Sequence, residues 1–295
     1  MVSMNRLSSE KRTQIVSCLV EGMSIRATCR MTGASKTTVM KLLGDLGLIC
    51  SIYMDRTMRN LSCERIQVDE LWSFVYSKQK NVPLDKLREA GDVWTFVAID
   101  ADTKLVPTFR VGARDLGEAQ AFMADLAKRL TGRVQLTTDG FPPYARAVRD
   151  AFGLDVDYAM LVKSYGSATK EDQRRYSPAT CIGADKVPMI GNPDPDHIST
   201  SYIERQNLSV RMSMRRYTRL TNAFSKKVEN HASAVALHFM HYNFCRVHKT
   251  LGTTPAVAAG VADHVWKLDE IVQLLDDAER AVAMKRGPYK KRSAA

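Results

Sequence analysis

The run IQVDELWSFVYS, residues 66–77, sets an aspartate inside an alternating stretch of β-branched and aromatic residues. Such a stretch reads as a strand with a buried face. A carboxylate there is costly unless a metal, a cation or hydrogen-bond donors meet it. Asp69 therefore asks for a fold that brings partners to the middle of a strand. Two more strand-like runs follow, VWTFVAID (93–100) and LVPTFRVG (105–112), joined by Ala101-Asp102-Thr103-Lys104. Asp100 and Asp102 read as residues of that turn. LGEAQAFMADLAKRL (116–130) carries Ala119, Phe122, Met123, Leu126 and Leu130 at helical spacing. RVQLTTD (133–139) is a short strand, PYARAVRDAFG (143–153) an amphipathic helix and VDYAMLVKSY (156–165) a fifth strand. The order β-β-β-α-β-α-β predicts an α/β domain built on a mixed five-stranded sheet flanked by helices.

A second carboxylate, Asp139, closes the fourth strand just before Gly140. It reads either as a turn residue or as a site residue. Parallel neighbouring strands would bring it beside Asp69, where open α/β sheets carry their ligands. Glu70 is expected on the opposite face by strand alternation. Further on, STSYIERQNLSVRMSMRRYTRLTNAFSKK opens with the cap candidates Ser199, Thr200 and Ser201. As a helix it sets Glu204, Asn207 and Arg211 on one face. Glu204 reads as a third ligand or as half of a surface ion pair. Asn207 and Arg211 support Glu204 or touch DNA, and Arg215, Arg216 and Arg219 offer charge for phosphates. The stretch 166–200, rich in Gly and Pro, is long for a loop and reads as an insertion in which CIGADKVPMI could form a small hairpin.

Ahead of the sheet lie three short helical segments. Serines precede them and Gly22 and Gly33 punctuate them. Helix, short helix, glycine turn, helix is the helix-turn-helix pattern. Its last helix would present Ser35, Lys36, Thr37, Thr38 and Lys41 to the major groove. A small helical bundle that merely packs is the alternative.

Charge agrees with a polyanionic partner. The formal net charge is +11. Residues 205–250 hold nine Lys or Arg against the single acid Glu229. The tail holds Lys285, Arg286, Lys290, Lys291 and Arg292 with no acid. His248 and Lys249 read as phosphate contacts or as packed polar residues, and Trp72 and Trp94 as core. Six scattered cysteines, no secretory-type N-terminus and no run of about 18 apolar residues lead to an expectation of a reducing, cytoplasmic setting without a membrane.

VDELWSFV, QLTTDG, YIERQN with RMSMRRYTRLT, and HYNFCRVHKTLGTTPAVAAG together resemble the bacterial insertion-sequence transposases with a DDE catalytic domain. The resemblance covers about residues 5–262. It implies an RNase H-like fold with an N-terminal helix-turn-helix domain, and a catalytic, metal-binding triad at Asp69, Asp139 and Glu204. The interval of 65 residues between the last two is longer than in many relatives, and Glu171 in KEDQRR matches no motif. The implied organisation is a helix-turn-helix domain at 1–50, a linker at 51–65 and a catalytic domain at 66–262 with its insertion at 166–200. A C-terminal helix at 263–280 and a basic tail at 281–295 complete it. Two Mg²⁺ ions, with Mn²⁺ substituting, would serve cleavage and strand transfer. Partners would be double-stranded DNA and further copies of the chain, in a bacterial, nucleoid-associated setting. Two other classes stay open: a DNA-binding relative that does not cut, and an RNase H-type nuclease acting on RNA–DNA hybrids.

Overall fold

A computed structural model describes residues 6–87, 89–166, 181–218 and 222–285, with side chains as far as 282. Arg219, Arg286, Lys290, Lys291, Arg292 and Glu171 lie outside the described residues, as does the side chain of Lys285.

Three helices open the chain: α1 (Ser9–Val20), α2 (Ile25–Thr32) and α3 (Lys36–Thr57). Each starts as the serine punctuation requires. Ser8 Oγ accepts from Lys11 N, Ser24 Oγ from Ala27 N and Ser35 Oγ from Thr38 N, satisfying donors that a helix start leaves free. Gly33, at φ 70, closes α2 in the left-handed region, where a side chain would be strained. The third helix does not stop near residue 50. It runs through residues expected as linker, and Arg129 holds its far end by donating to the carbonyls of Met54 and Met58. By length and composition α3 could cross a membrane. Its stripe of Val39, Leu42, Leu43, Leu46, Cys50 and Met54 is packed into the core instead.

The sheet has six strands: β1 (Arg65–Val75), β2 (Gly91–Asp100), β3 (Phe109–Gly112), β4 (Gln135–Asp139), β5 (Asp157–Tyr165) and β6 (Cys181–Ile190). Their order is β3-β2-β1-β4-β5-β6. β1–β2, β2–β3 and β5–β6 run antiparallel, and β1–β4 and β4–β5 run parallel. The expected count of five is thus corrected to six. CIGADKVPMI, expected as a hairpin, is one edge strand whose backbone pairs with Tyr158 to Tyr165 of β5. This is a mixed α/β sheet consistent with an RNase H-like fold.

Helices cover both faces. On one lie α4 (Leu116–Ala127) and α5 (Pro143–Phe152), where Phe96 of β2 meets Phe122 and Tyr144 at 5.7 and 6.2 Å between ring centroids. On the other lie α6 (Ser201–Ser213) and α7 (Val228–Met240). Gln67 Oε1 accepts from Tyr202 N and Ile203 N at 2.8 and 3.1 Å, which seats the start of α6 on β1. Phe109 stacks on Phe239 at 4.9 Å. A π-helical turn at His241–Cys245 and the short α8 (Pro255–Ala258) lead to α9 (Leu268–Lys285). Asp276 of α9 takes Arg6, Ser9 and Arg12, pinning the last helix to the first. Ile15, Leu43 and Leu46 of the N-terminal helices belong to the same continuous apolar core as the sheet.

Candidate active site

Parallel pairing of β1 with β4 sets Val68 opposite Thr138, so the next residues, Asp69 and Asp139, stand side by side. β4 ends there. Asp139 Oδ1 accepts from Phe141 N at 3.2 Å, an Asx turn that fixes its carboxylate at the sheet edge. Asp69 Oδ1 accepts from Glu70 N at 2.7 Å, and Asp69 Oδ2 accepts from Asn207 Nδ2 on α6 at 2.8 Å.

Glu70 departs from expectation. Its side chain does lie on the other face of β1, opposite Phe96 in register and among the α5 residues. Yet because β4 ends at Asp139, the two faces meet at that edge. Asp69, Glu70 and Asp139 each offer one carboxylate oxygen, all within 4.8 Å of one another. The Glu70 side chain is 1% exposed, and its Oε1 is left without a well-formed hydrogen bond, with the buried Tyr144 hydroxyl as the donor beside this carboxylate. Arg114 supplies the nearby cation, 3.6 Å from Glu70 and 3.9 Å from Asp139. Its guanidinium lies 4.8 Å from the Trp94 ring centroid and 4.0 Å from that of Phe141. Trp94, expected as core, is half-buried and forms part of this cation's seat.

Glu204 lines the same cleft of about 490 Å³. Its carboxylate stands outside the three-acid cluster, accepting from Lys163 Nζ on β5 and from Thr200 Oγ1. It shares the cleft with Asp69 and Asp139, and it is half of an ion pair with Lys163.

The acids pay electrostatically for their proximity. Burial, then repulsion from Asp139, lifts the Asp69 carboxyl to about 7. The same two causes lift Glu70 to about 8. Burial raises Asp139 as well. Lys163 loses by burial, but Glu204 more than restores its proton affinity. Four carboxylates here face two cations, Arg114 and Lys163, so the ionised site carries an excess of negative charge. An all-oxygen donor set, a buried carboxylate oxygen without a well-formed hydrogen bond and unmatched negative charge fit a hard divalent cation.

The remaining expected residues scatter. Asn207, expected to support Glu204 or to touch DNA, is buried with its amide on Asp69. Arg216, expected as a phosphate contact, turns inward to donate to Ser225 Oγ at 2.5 Å, and burial lowers its proton affinity. Arg211 is half-buried, and its carbonyl accepts from Thr218 Oγ1. Arg215 is exposed. His248 is half-buried with Nδ1 on Thr250 Oγ1, and Lys249 is exposed. Ser35, Lys36, Thr37 and Lys41 are exposed and Thr38 is half-buried at the start of α3, far along the chain from the cleft residues; Lys41 pairs with Asp45. Sequence reading missed Glu70, Arg114 and Lys163. Only Glu70 left a signal, as a second acid beside a buried one.

No protein-family model matches this chain, and no curated protein does. Among solved structures it is similar to the piggyBac transposase of a cryo-EM synaptic complex with hairpin DNA. Identity there is 11% and the TM-score 0.39, over 99% of this chain and 76% of that one.

Proposed function

We propose that this protein is a DNA transposase of the bacterial insertion-sequence type, cutting and joining DNA strands at the Asp69–Asp139–Glu204 cleft. One observation carries the reading: the carboxylates of Asp69, in mid-β1, and Asp139, at the end of the parallel neighbour β4, lie within 4.8 Å of each other, in a cleft that a helix-borne Glu204 also lines. The sequence motifs around all three acids support it. Asp69 and Asp139, with Glu70 or Glu204, would hold Mg²⁺, or Mn²⁺ in its place. A divalent ion so held supplies electrophilic stabilisation to the attacking and leaving oxygens of a phosphoryl displacement. The chain's own groups do the rest. Asn207 and the Phe141 amide orient the two aspartates. Arg114 and Lys163 bring positive charge to the cleft wall, where a phosphate diester would lie. The start of α3, with Ser35, Lys36, Thr37, Thr38 and Lys41, is proposed to read the element's ends. A dimer or higher assembly would bring two ends together.

Mg²⁺-dependent cleavage and strand transfer on a linear duplex carrying the flanking element end, with wild type beside Glu204→Gln, tests this. Joining by wild type and none by the variant is expected. Binding without cleavage in wild type would favour the DNA-binding relative that does not cut, and activity confined to RNA–DNA hybrids would favour an RNase H-type nuclease. Cleavage that survives in Glu204→Gln but not in Glu70→Gln would move the third carboxylate to Glu70.

A further inference from the structure

The basic run at 211–219 gives up Arg216 to the interior, but three other cations lie along α6, the helix that carries Glu204. The turn after β2 ends at Lys104, whose carbonyl accepts from the Tyr242 hydroxyl at 2.9 Å. Its ammonium donates to the Ala101 carbonyl and lies 3.3 Å from the centroid of the Tyr202 ring, in the first turn of α6. Arg205, exposed, follows Glu204 on the same helix. Arg246, also exposed, leaves the π-helical turn and reaches Ser213 Oγ at 3.5 Å, at the far end of α6. Tyr242 and Tyr202 thus bind three distant segments into one surface. His248 reports how close the charges are: burial, then Lys104, Arg246 and Arg205, lowers its proton affinity.

Three acids near these cations are already engaged, while Glu21, which acts on His241 together with Arg246, and Glu64, beside Arg65, form no ion pair with them. Asp102 pairs with Arg65. Asp100 is buried, accepting from Asp102 N and from Thr103. Glu204 is held by Lys163 and Thr200. Among the described residues, no carboxylate pairs with Lys104, Arg205 or Arg246. Like charges gathered without counter-ions oppose folding and favour a polyanion. The aromatic ring under Lys104 holds that charge in place.

We infer that the face formed by Lys104, Arg205 and Arg246, with Tyr202 between them, seats the phosphate backbone of the duplex whose scissile bond enters the cleft. The inference rests on the transposase reading, and it locates the substrate: Glu204 lines the cleft and Arg205 is the next residue on the same helix, so cleft and patch share α6. Phosphate contacts of this kind set position and carry no sequence information.

The test is duplex affinity of the full chain, by fluorescence anisotropy from 50 to 200 mM salt without divalent ions, on a duplex bearing the element end. The variant is Lys104→Asn/Arg205→Ala/Arg246→Ala; asparagine is chosen because Lys104 has φ 61, which asparagine tolerates. Each lost phosphate contact lowers the slope of log affinity against log salt by about 0.9, so the triple variant is expected to lose roughly 2.7. Arg205→Ala alone, on an exposed side chain, is expected to lose about 0.9 and covers the case in which the triple variant fails to fold. Mn²⁺ affinity of the cleft should stay as in wild type. A folded variant with wild-type slope overturns the inference, and if wild type still cuts DNA the transposase reading survives that loss. Slope lost in the variant while wild type never cuts would support the surface and sink the transposase reading. Loss of binding to double-stranded RNA or anionic vesicles, with duplex DNA unaffected, would overturn DNA as the occupant.

Discussion

Asn207 Nδ2 donates to Asp69 Oδ2 at 2.8 Å, joining α6 to the middle of β1 through the carboxylate that most needs a partner. The amide fixes which way that carboxylate points, because its other oxygen is taken by the Glu70 backbone. Removing an orienting partner of this kind typically costs about 10–100-fold in metal affinity. Asn207→Ala is therefore expected to weaken Mn²⁺ binding by roughly that factor, read by isothermal titration. An unchanged dissociation constant would mean that Asp69 is held by the strand alone.

The acid cluster makes stability depend on pH in an unusual direction. Asp69 and Glu70 have ordinary values of 3.8 and 4.5, raised by burial and by Asp139 to about 7 and about 8. Between those limits the folded chain binds more protons than the unfolded one, so stability falls as pH rises. In metal-free buffer the melting temperature should drop from pH 5 to pH 8. Glu70→Gln removes one buried charge and should flatten that drop, raising stability at pH 8 while weakening divalent-ion binding. Melting curves at both pH values, with and without Mg²⁺, check both signs. A variant destabilised at pH 8 in metal-free buffer would count against the cluster as described.

Much of this was legible along the chain. Alternation gave β1, β2, β4 and β5, and helical spacing gave α4 and α5. Asp69 announced itself because an ionised side chain in an apolar strand has to be met by something. What stayed hidden is long-range. Cys181–Ile190 is exposed almost throughout, so it carries no burial pattern to mark it as the sixth strand. Glu70 was assigned correctly to its face, but only the end of β4 beside it lets the two faces share one cluster. Arg114 and Lys163 stand 45 and 94 residues beyond Asp69, and nothing local ties them to it. Counting charge along 205–250 does not show that Arg216 turns inward to Ser225.

Phe96 anchors the face opposite α6. It is fully buried between Phe122 and Tyr144, and Glu70 sits opposite it in register. Truncating a buried phenylalanine costs about 3–5 kcal/mol, as transfer free energy plus a residual cavity. Phe96→Ala should lose that much in urea unfolding. It should also disturb Tyr144, and through it the wall behind Glu70, so weaker Mn²⁺ binding is expected alongside.

Two glycines three residues apart on α3 should respond to alanine with opposite signs. An ideal Cβ on Gly44 meets nothing within 4 Å. Alanine there gains helix propensity, and Gly44→Ala should stabilise by roughly 0.5–1 kcal/mol. At Gly47 the same atom would lie 2.4 Å from Ser233 Cα and 2.8 Å from its carbonyl oxygen, on α7. Those are backbone atoms, so no rotamer change relieves the clash, and the two helices must part. Overpacking typically costs about 1–3 kcal/mol, which exceeds or cancels the propensity gain. α7 packs on the sheet through Phe239 and Phe109, so its displacement would be passed to the strands beneath. Gly47→Ala is therefore expected to lower the urea midpoint while Gly44→Ala raises it. Equal shifts of one sign would show that α3 and α7 do not cross as closely as Gly47 implies.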